Sequence, residues 1–228
     1  SEKLLRIMRD TALCNRCGSC AGLSEGQIVF ADREGKYLPV INHALDEDLA
    51  ERIYQVCSGK GVDFPLLNRY IFADEGHFHP YMGTYRQIGI AWSNHPEIRR
   101  AGSSGGILSH LLIYLLEKKE VDGVVVLGMS KEKPWLNKPF IATTPEEILS
   151  AAQSKYTISS VNEILPQIAR FQGKLAYTGL PGQVQSIRLL QQRQHPFVRN
   201  VRYVVGPFYG NILHFSSIVS LLKSYSVT

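Results

Sequence analysis

The chain has 228 residues, 44% hydrophobic and 20% charged, a composition that supports a packed core and excludes a low-complexity or disordered protein. Its longest apolar run, residues 107–116, is the length of a core helix and too short to span a bilayer. The formal net charge of +5 favours acidic or phosphate-bearing partners, yet the basic residues are scattered and form no arm, so nucleic-acid binding is not expected. The opening stretch SEKLLRIMRD lacks a signal-peptide h-region, which makes the cytoplasm the expected compartment.

LCNRCGSCAGLSE follows. Cys14, Cys17 and Cys20 are spaced by two residues, as in a bacterial ferredoxin loop, where a fourth cysteine and a proline come next. Here those two positions hold Ser24 and Glu25, so the set is one thiolate short. Three cysteines within seven residues cannot form a disulfide framework, and in a reducing compartment they read as a metal or cofactor site. The one cysteine left to complete it is Cys57. Four thiolates suit a [4Fe-4S] cluster or a tetrahedral zinc ion. Zinc usually takes two separated CxxC pairs, whereas three crowded ligands suit three corners of a cubane, so iron–sulfur is favoured and structural zinc is the alternative.

Residues 27–30 read as a strand. LDEDLAERIYQVC reads as a helix with acidic residues at its start, delivering Cys57 at its end before a turn at Gly59 and Gly61. Folded back, that helix would set Cys57 beside the other three. ADEGHFHPYMGT, residues 73–84, reads as a linker or covering loop, and His77 and His79 within it as surface residues.

From Tyr85 onward strands and helices alternate: RQIGIAW a strand, GGILSHLLIYLLEKK a helix, VDGVVVLGM a strand buried on both faces. In the first helix Leu108, Leu111, Leu112 and Leu115 form a stripe expected to face the sheet. TTPEEILSAA carries a helix start with Thr144 as N-cap, Pro145 in the first turn and Glu147 closing a capping box. SVNEILPQIARF reads as a helix kinked near Pro166, GKLAYTG as a strand, PGQVQSIRLLQQ as a helix, VRYVVGPF as a strand and FSSIVSLLKSY as a last helix. Such alternation implies an α/β layer with a largely parallel sheet.

Three turns in this half carry candidate chemistry. Ser103, Ser104, Gly105 and Gly106 open a long helix, where backbone N–H groups and small residues form an anion cradle; an ordinary N-cap at Ser103 or Ser104 accounts for the pattern equally well. Gln153, Ser154, Lys155 and Tyr156 offer a cation for a phosphate or flavin carbonyl and a ring for stacking, although a solvated lysine beside a core tyrosine reads as simply. Thr178, Gly179, Pro181 and Gln183 lie at the carboxyl end of a strand, where open α/β sheets place ligands.

HPEIRRAGSSGGILSHLLIYLLEKKEVDGVVVLG, EEILSAAQSKYTISSVNEIL, GKLAYTGLPGQVQSIRLL and VVGPFYGN, in this order, resemble the beta-subunit family of coenzyme F-420 hydrogenases and dehydrogenases. The CxxCxxC stretch and VCSGKGVD resemble that family's iron–sulfur module. The resemblance implies a fold of class α/β (α+β overall), with a small iron–sulfur module over residues 1–75 and, over 76–228, an FAD-binding domain of mostly parallel sheet flanked by helices. It implies an oxidoreductase or electron-transfer subunit passing electrons between FAD, a [4Fe-4S] cluster and a redox substrate such as the deazaflavin coenzyme or a ferredoxin-linked acceptor. Its partners would be a redox partner subunit or ferredoxin and a small-molecule redox substrate. A non-catalytic nucleotide-binding module with structural zinc is the rival reading. Two positions depart from the family: Gly182 and Tyr209 stand where cysteine is usual, so a cysteine-dependent step or second cluster there is not expected. The family normally continues beyond the position of Thr228, which makes the chain a fragment or a member without that segment.

Overall fold

The computed structural model describes residues 1–226 apart from 34, 74, 133 and 134. It opens with helix α1 (Glu2–Arg9), whose Leu4, Ile7 and Met8 are buried while Lys3, Arg6 and Arg9 stay exposed. A short helix, α2 (Ser19–Leu23), leaves the cysteine loop and leads to an antiparallel pair, β1 (Ile28–Arg33) and β2 (Lys36–Ile41), with Ile28 opposite Ile41. Helix α3 (Glu47–Val56) is the one expected over this stretch: Asp46 accepts from the Leu49 N–H at 3.0 Å, and Glu47 and Asp48 favour its positive end. Leu4, Met8, Ile28, Ala50 and Ile53 form a small core among these elements.

Past Cys57 a tight turn, Ser58–Lys60, leads to α4 (Phe64–Phe72), capped by Asp63. Residues 73–84 are more than a linker: β3 (His77–His79) and β4 (Gly83–Tyr85) pair as a short hairpin. RQIGIAW, expected as a strand, is not one; Ile90 is 94% exposed and Trp92 62%. Alternating apolar residues become a strand only where a neighbour takes up their backbone groups, and among the described residues no ladder lies alongside.

Helix α5 (Pro96–Ala101) precedes α6 (Ile107–Glu117) and the central sheet of β5 (Gly123–Met129), β6 (Asn137–Ala142), β7 (Leu175–Thr178) and β8 (Val201–Val205), ordered β6-β5-β7-β8. β5, β7 and β8 run parallel, and β6 closes one edge antiparallel. Parallel neighbours need crossovers, supplied by α7 (Pro145–Ser150), the α8 helix (Leu165–Arg170) and α9 (Pro181–Gln192). Strand side chains alternate between two cores. Val125, Leu175 and Tyr177 pack with α8 and α9, whereas Val124, Val126 and Ala176 pack with α6 and α7. The capping box of α7 forms, with the Glu147 N–H donating to Thr144 at 3.2 Å. Pro166 starts α8 after a tight turn, Val161–Ile164, rather than kinking a longer helix. The α6 stripe needs correction: Leu112, Ile113 and Leu115 are buried, Leu108 and Leu116 pack beside them, but Leu111 is 41% exposed. Because α6 is apolar nearly all round, spacing alone does not tell its inner face from its outer one. A last helix, α10 (Phe215–Ser224), buries only Phe215.

The cysteine-bearing part is not separate from this sheet. Val56 of α3 belongs to the same core as Tyr177 and Leu190, and Leu23 of α2 packs against both that core and the small N-terminal one.

Candidate functional site

The loop carrying Cys14 begins where α1 ends, with the Cys14 N–H donating to the Asp10 carbonyl at 2.9 Å. Cys17 and Cys20 bracket the start of α2, and Cys57 caps the end of α3. The side chain of Asn15 donates to Ser58 Oγ at 3.0 Å and so ties the first segment to the second. Arg16 is consumed locally, its guanidinium donating to the carbonyls of Thr11, Cys14 and Tyr37. All four cysteines are free thiols and line one small pocket of ≈ 20 Å³, walled by Leu4, Ile7, Met8 and Ile53.

Burial pushes the Cys57 thiol up to about 12 and that of Cys20 well above its ordinary range, with the charges of the other cysteines adding to both. Burial also raises Cys14, where the Arg16 N–H works in the opposite direction. Cys14, Cys20 and Cys57 therefore favour their neutral thiols here, and a thiolate-ligated metal group would supply the positive centre that stabilises the ionised form. Among the described residues no three Cys, His, Asp or Glu side chains converge as a single metal ion requires. Four thiols lining one pocket are the donor set of a closed cubane and of a tetrahedral zinc site alike. The donor set fits an iron–sulfur cluster.

Behind the pocket lies a set of buried polar groups: Ser19, Asn162, Tyr177 and Ser186. Asn162 reaches Cys17 through its backbone, whose N–H donates to the Cys17 carbonyl at 2.8 Å, and Ser186 donates to the Val56 carbonyl at 2.8 Å. A methyl group on Gly22 would collide with the Asn162 carbonyl oxygen, so α2 can approach this layer only with glycine there. One sequence signal points to this set. Gln183, Ser186, Ile187 and Leu190 occupy the i, i+3, i+4, i+7 face of α9, and two of the four are polar yet buried.

The three candidate turns are linked, though not as a uniform cradle. Ser154 donates to Ser103 Oγ from its N–H at 3.0 Å and from its hydroxyl at 3.3 Å, so the first two turns meet. Gly105 and Gly106 have positive φ, and the Gly105 carbonyl accepts from the Ser93 N–H at 2.8 Å. Lys155 is neither solvated nor free: it donates to the carbonyls of Ala151, Ala152 and Gln153, and burial lowers its pKa. Tyr156 is 62% exposed rather than a core residue. In the third turn Thr178 donates to the Val125 carbonyl, Gly179 pairs with Val205 and Pro181 begins α9. Both ends of the Gln183 amide are used, on the Leu180 N–H and the Ser159 carbonyl. This turn faces the cysteines. Gly182 packs on Asn15, and a cleft of ≈ 350 Å³ runs between Cys14, Ser159, Gly182 and the segment from Tyr209 to His214. Gly182 and Tyr209, the two departures from the resembled family, thus line one cleft beside Cys14. Sequence spacing does not foretell that segment's place; Leu213 is held by a parallel bridge to Thr157.

The fold is thus an α/β layer with a four-cysteine pocket set between the small N-terminal core and the polar groups buried against the sheet. Residues 89–166 match the family model described as coenzyme F420 hydrogenase/dehydrogenase, beta subunit N-term. It is 34% identical over 154 residues to coenzyme F420 hydrogenase subunit beta of Methanosarcina barkeri, covering 64% of this chain and 52% of that one. The same subunit of Methanothermobacter thermautotrophicus is 38% identical over 125 residues, with 54% and 43% covered. Coenzyme F420-dependent sulfite reductase of Methanocaldococcus jannaschii is 27% identical over 190 residues, with 83% and 27% covered. A chain in the xenon-derivatized F420-reducing [NiFe] hydrogenase complex from Methanosarcina barkeri superposes with a TM-score of 0.57 at 31% identity, covering 64% and 52%. The chain spans about half the length of the curated beta subunits it matches.

Proposed function

We propose that this chain is the iron–sulfur flavoprotein part of an oxidoreductase, an electron-transfer subunit that works with a redox partner protein. Cys14, Cys17, Cys20 and Cys57 hold a [4Fe-4S] cluster within residues 1–75, and residues 76–228 hold FAD. The observation that carries this reading is the meeting of four thiols from two distant segments around one pocket, in a chain that matches this family's model over residues 89–166. When bound, FAD exchanges electrons in pairs with a substrate, and the cluster passes them singly.

For the flavin, the N–H groups at the start of α6 and the Ser103–Ser154 contact supply polar partners, and Tyr156 supplies an exposed ring. The segment from Ser154 to Ser159 spans at most about 18 Å and leads to the cleft beside Cys14, so an elongated cofactor lying along it would approach the cysteines. Thr178 and Gln183 act by shaping that end, since their side chains are bonded to the protein. The substrate is a redox-active small molecule, with coenzyme F420 first to be tested because the relatives' names carry it. No helix among the described residues is long and apolar enough to cross a membrane, and we place the protein's work in the cytoplasm.

Anaerobic reconstitution with iron, sulfide and FAD tests the proposal. Expected are a brown protein with about four iron and four sulfide per chain, flavin absorbance, and loss of most iron in Cys57→Ala. A colourless protein with one zinc per chain, or a Cys57→Ala variant with full iron and sulfide, would overturn it.

A further inference from the structure

The buried polar set behind the pocket has countable protons. Tyr177, Asn162 and Ser186 are 0% exposed and Ser19 2%. The Tyr177 hydroxyl donates to Asn162 Oδ1. Asn162 Nδ2 spends its two hydrogens on Ser19 Oγ at 2.8 Å and the Gln183 carbonyl at 3.1 Å; that carbonyl can only accept, so the amide orientation is fixed. Ser186 has one proton and gives it to the Val56 carbonyl at 2.8 Å. The 2.6 Å contact between Ser19 and Ser186 therefore carries the Ser19 proton. Ser19 Oγ, already accepting from Asn162, accepts also from the Cys17 thiol, whose Sγ lies 3.6 Å away. Every proton and lone pair of Ser19 is in use.

That arrangement suits a protonated Cys17 only. A cysteine bound to a metal is a thiolate, which has no proton to offer, so lone pairs would face each other across the Ser19–Cys17 contact. The set contains its own remedy. Ser186 can turn its O–H from the Val56 carbonyl to Ser19, and Ser19 can then turn its O–H to the Cys17 sulfur. No proton is gained or lost by the two serines. We propose that Ser19 is a positioning residue that donates a hydrogen bond to the Cys17 sulfur in the cluster-loaded protein, with Asn162 holding it in place and Ser186 reversing its direction. The proposal rests on the assignment of Cys17 to the cluster. Hydrogen bonds to ligand sulfurs stabilise the more negative, reduced cluster, so Ser19 raises its reduction potential.

Redox titration followed by EPR, on the anaerobically reconstituted protein with its iron and sulfide measured, decides the matter. Ser19→Ala should titrate at a lower potential than the parent, because the sulfur has lost its donor. Ser186→Ala should titrate between Ser19→Ala and the parent, because Ser19 keeps its own proton for the sulfur and loses only the hydroxyl that donates to it from behind. A packing role alone would leave both potentials at the parental value, or lower both alike, and either result overturns the proposal. If Ser19→Ala retains no iron, Ser19→Thr decides alone: a potential at the parental value, with the hydroxyl kept, supports the donor role, and a potential lowered despite the hydroxyl overturns it. A parent that takes up no iron and sulfide sinks the cluster assignment itself, and this proposal with it, so the metal analysis tells the two failures apart.

Discussion

The cysteine pocket and the Ser103–Ser154 turns belong to one chain but are built in opposite ways. Around the pocket, α2 touches the sheet layer so closely that Gly22 has no room for a methyl group, and the polar groups behind it are buried and paired. Around the turns, Ser103, Ser104, Ser154 and Tyr156 are exposed, and Gly105 has only ordinary contacts with Trp92 and Arg99. The first region is shaped by folding before any group binds. The second presents its polar groups and the Tyr156 ring on an open surface, where the proposed flavin would cover them. Pre-organisation of this kind suits a cluster held at four fixed corners, and openness suits a cofactor that enters from solvent.

The sharpest contrast is within the open region itself, where α6 has a closed underside. Leu112→Ala should cost about 2–5 kcal/mol in urea unfolding, against at most about 0.5 kcal/mol for the exposed Leu111→Ala. Equal costs would mean that the inner face of α6 is misassigned. Next in size is a pair of glycines. Gly22→Ala should cost about 3 kcal/mol, since the colliding partner is a backbone carbonyl that cannot swing away. Gly105→Ala should cost only about 1–2 kcal/mol, from its φ of +89° alone. That strain means substitutions at Gly105 perturb the fold as well as any flavin, so FAD affinity there must be compared at matched stability.

Smaller again, Tyr177→Phe strands Asn162 Oδ1 in the buried region and should cost about 1–3 kcal/mol by the same measurement. Ser154→Ala, made on the exposed side, should stay within about 0.5 kcal/mol. The metal-free pocket also has a pH signature opposite in sign to that of the turns, where burial lowers the Lys155 pKa. Burial raises the Cys57 thiol from 9.0 to about 12, so the folded pocket favours the protonated form. Its stabilising contribution is intact below about pH 9 and is lost as pH rises towards 12, with a slope of about 1.4 kcal/mol per pH unit for that thiol. Urea midpoints between pH 8 and 11 should fall accordingly in the metal-free parent and fall less in Cys57→Ala.

Sequence alone determined the local features of this protein. The spacing of Cys14, Cys17 and Cys20, the acidic start of α3 that carries Cys57, the capping box at Thr144 and the unbroken valines of β5 all act within a few residues, where propensity and periodicity decide the outcome. Tertiary structure decided the rest. RQIGIAW has a strand's pattern but no neighbour to pair with, and α6 is too uniformly apolar to name its buried face. Lys155 turned back onto its own helix end, where three carbonyls needed a donor. Above all, Ser19, Asn162, Tyr177 and Ser186 come from four separated segments, and their value lies in mutual hydrogen bonds that exist only once the sheet layer has closed over the cysteine loop. Such bonds leave no periodic mark in a sequence beyond a polar residue where an apolar one belongs, because their energy depends on burial and pairing achieved across the fold.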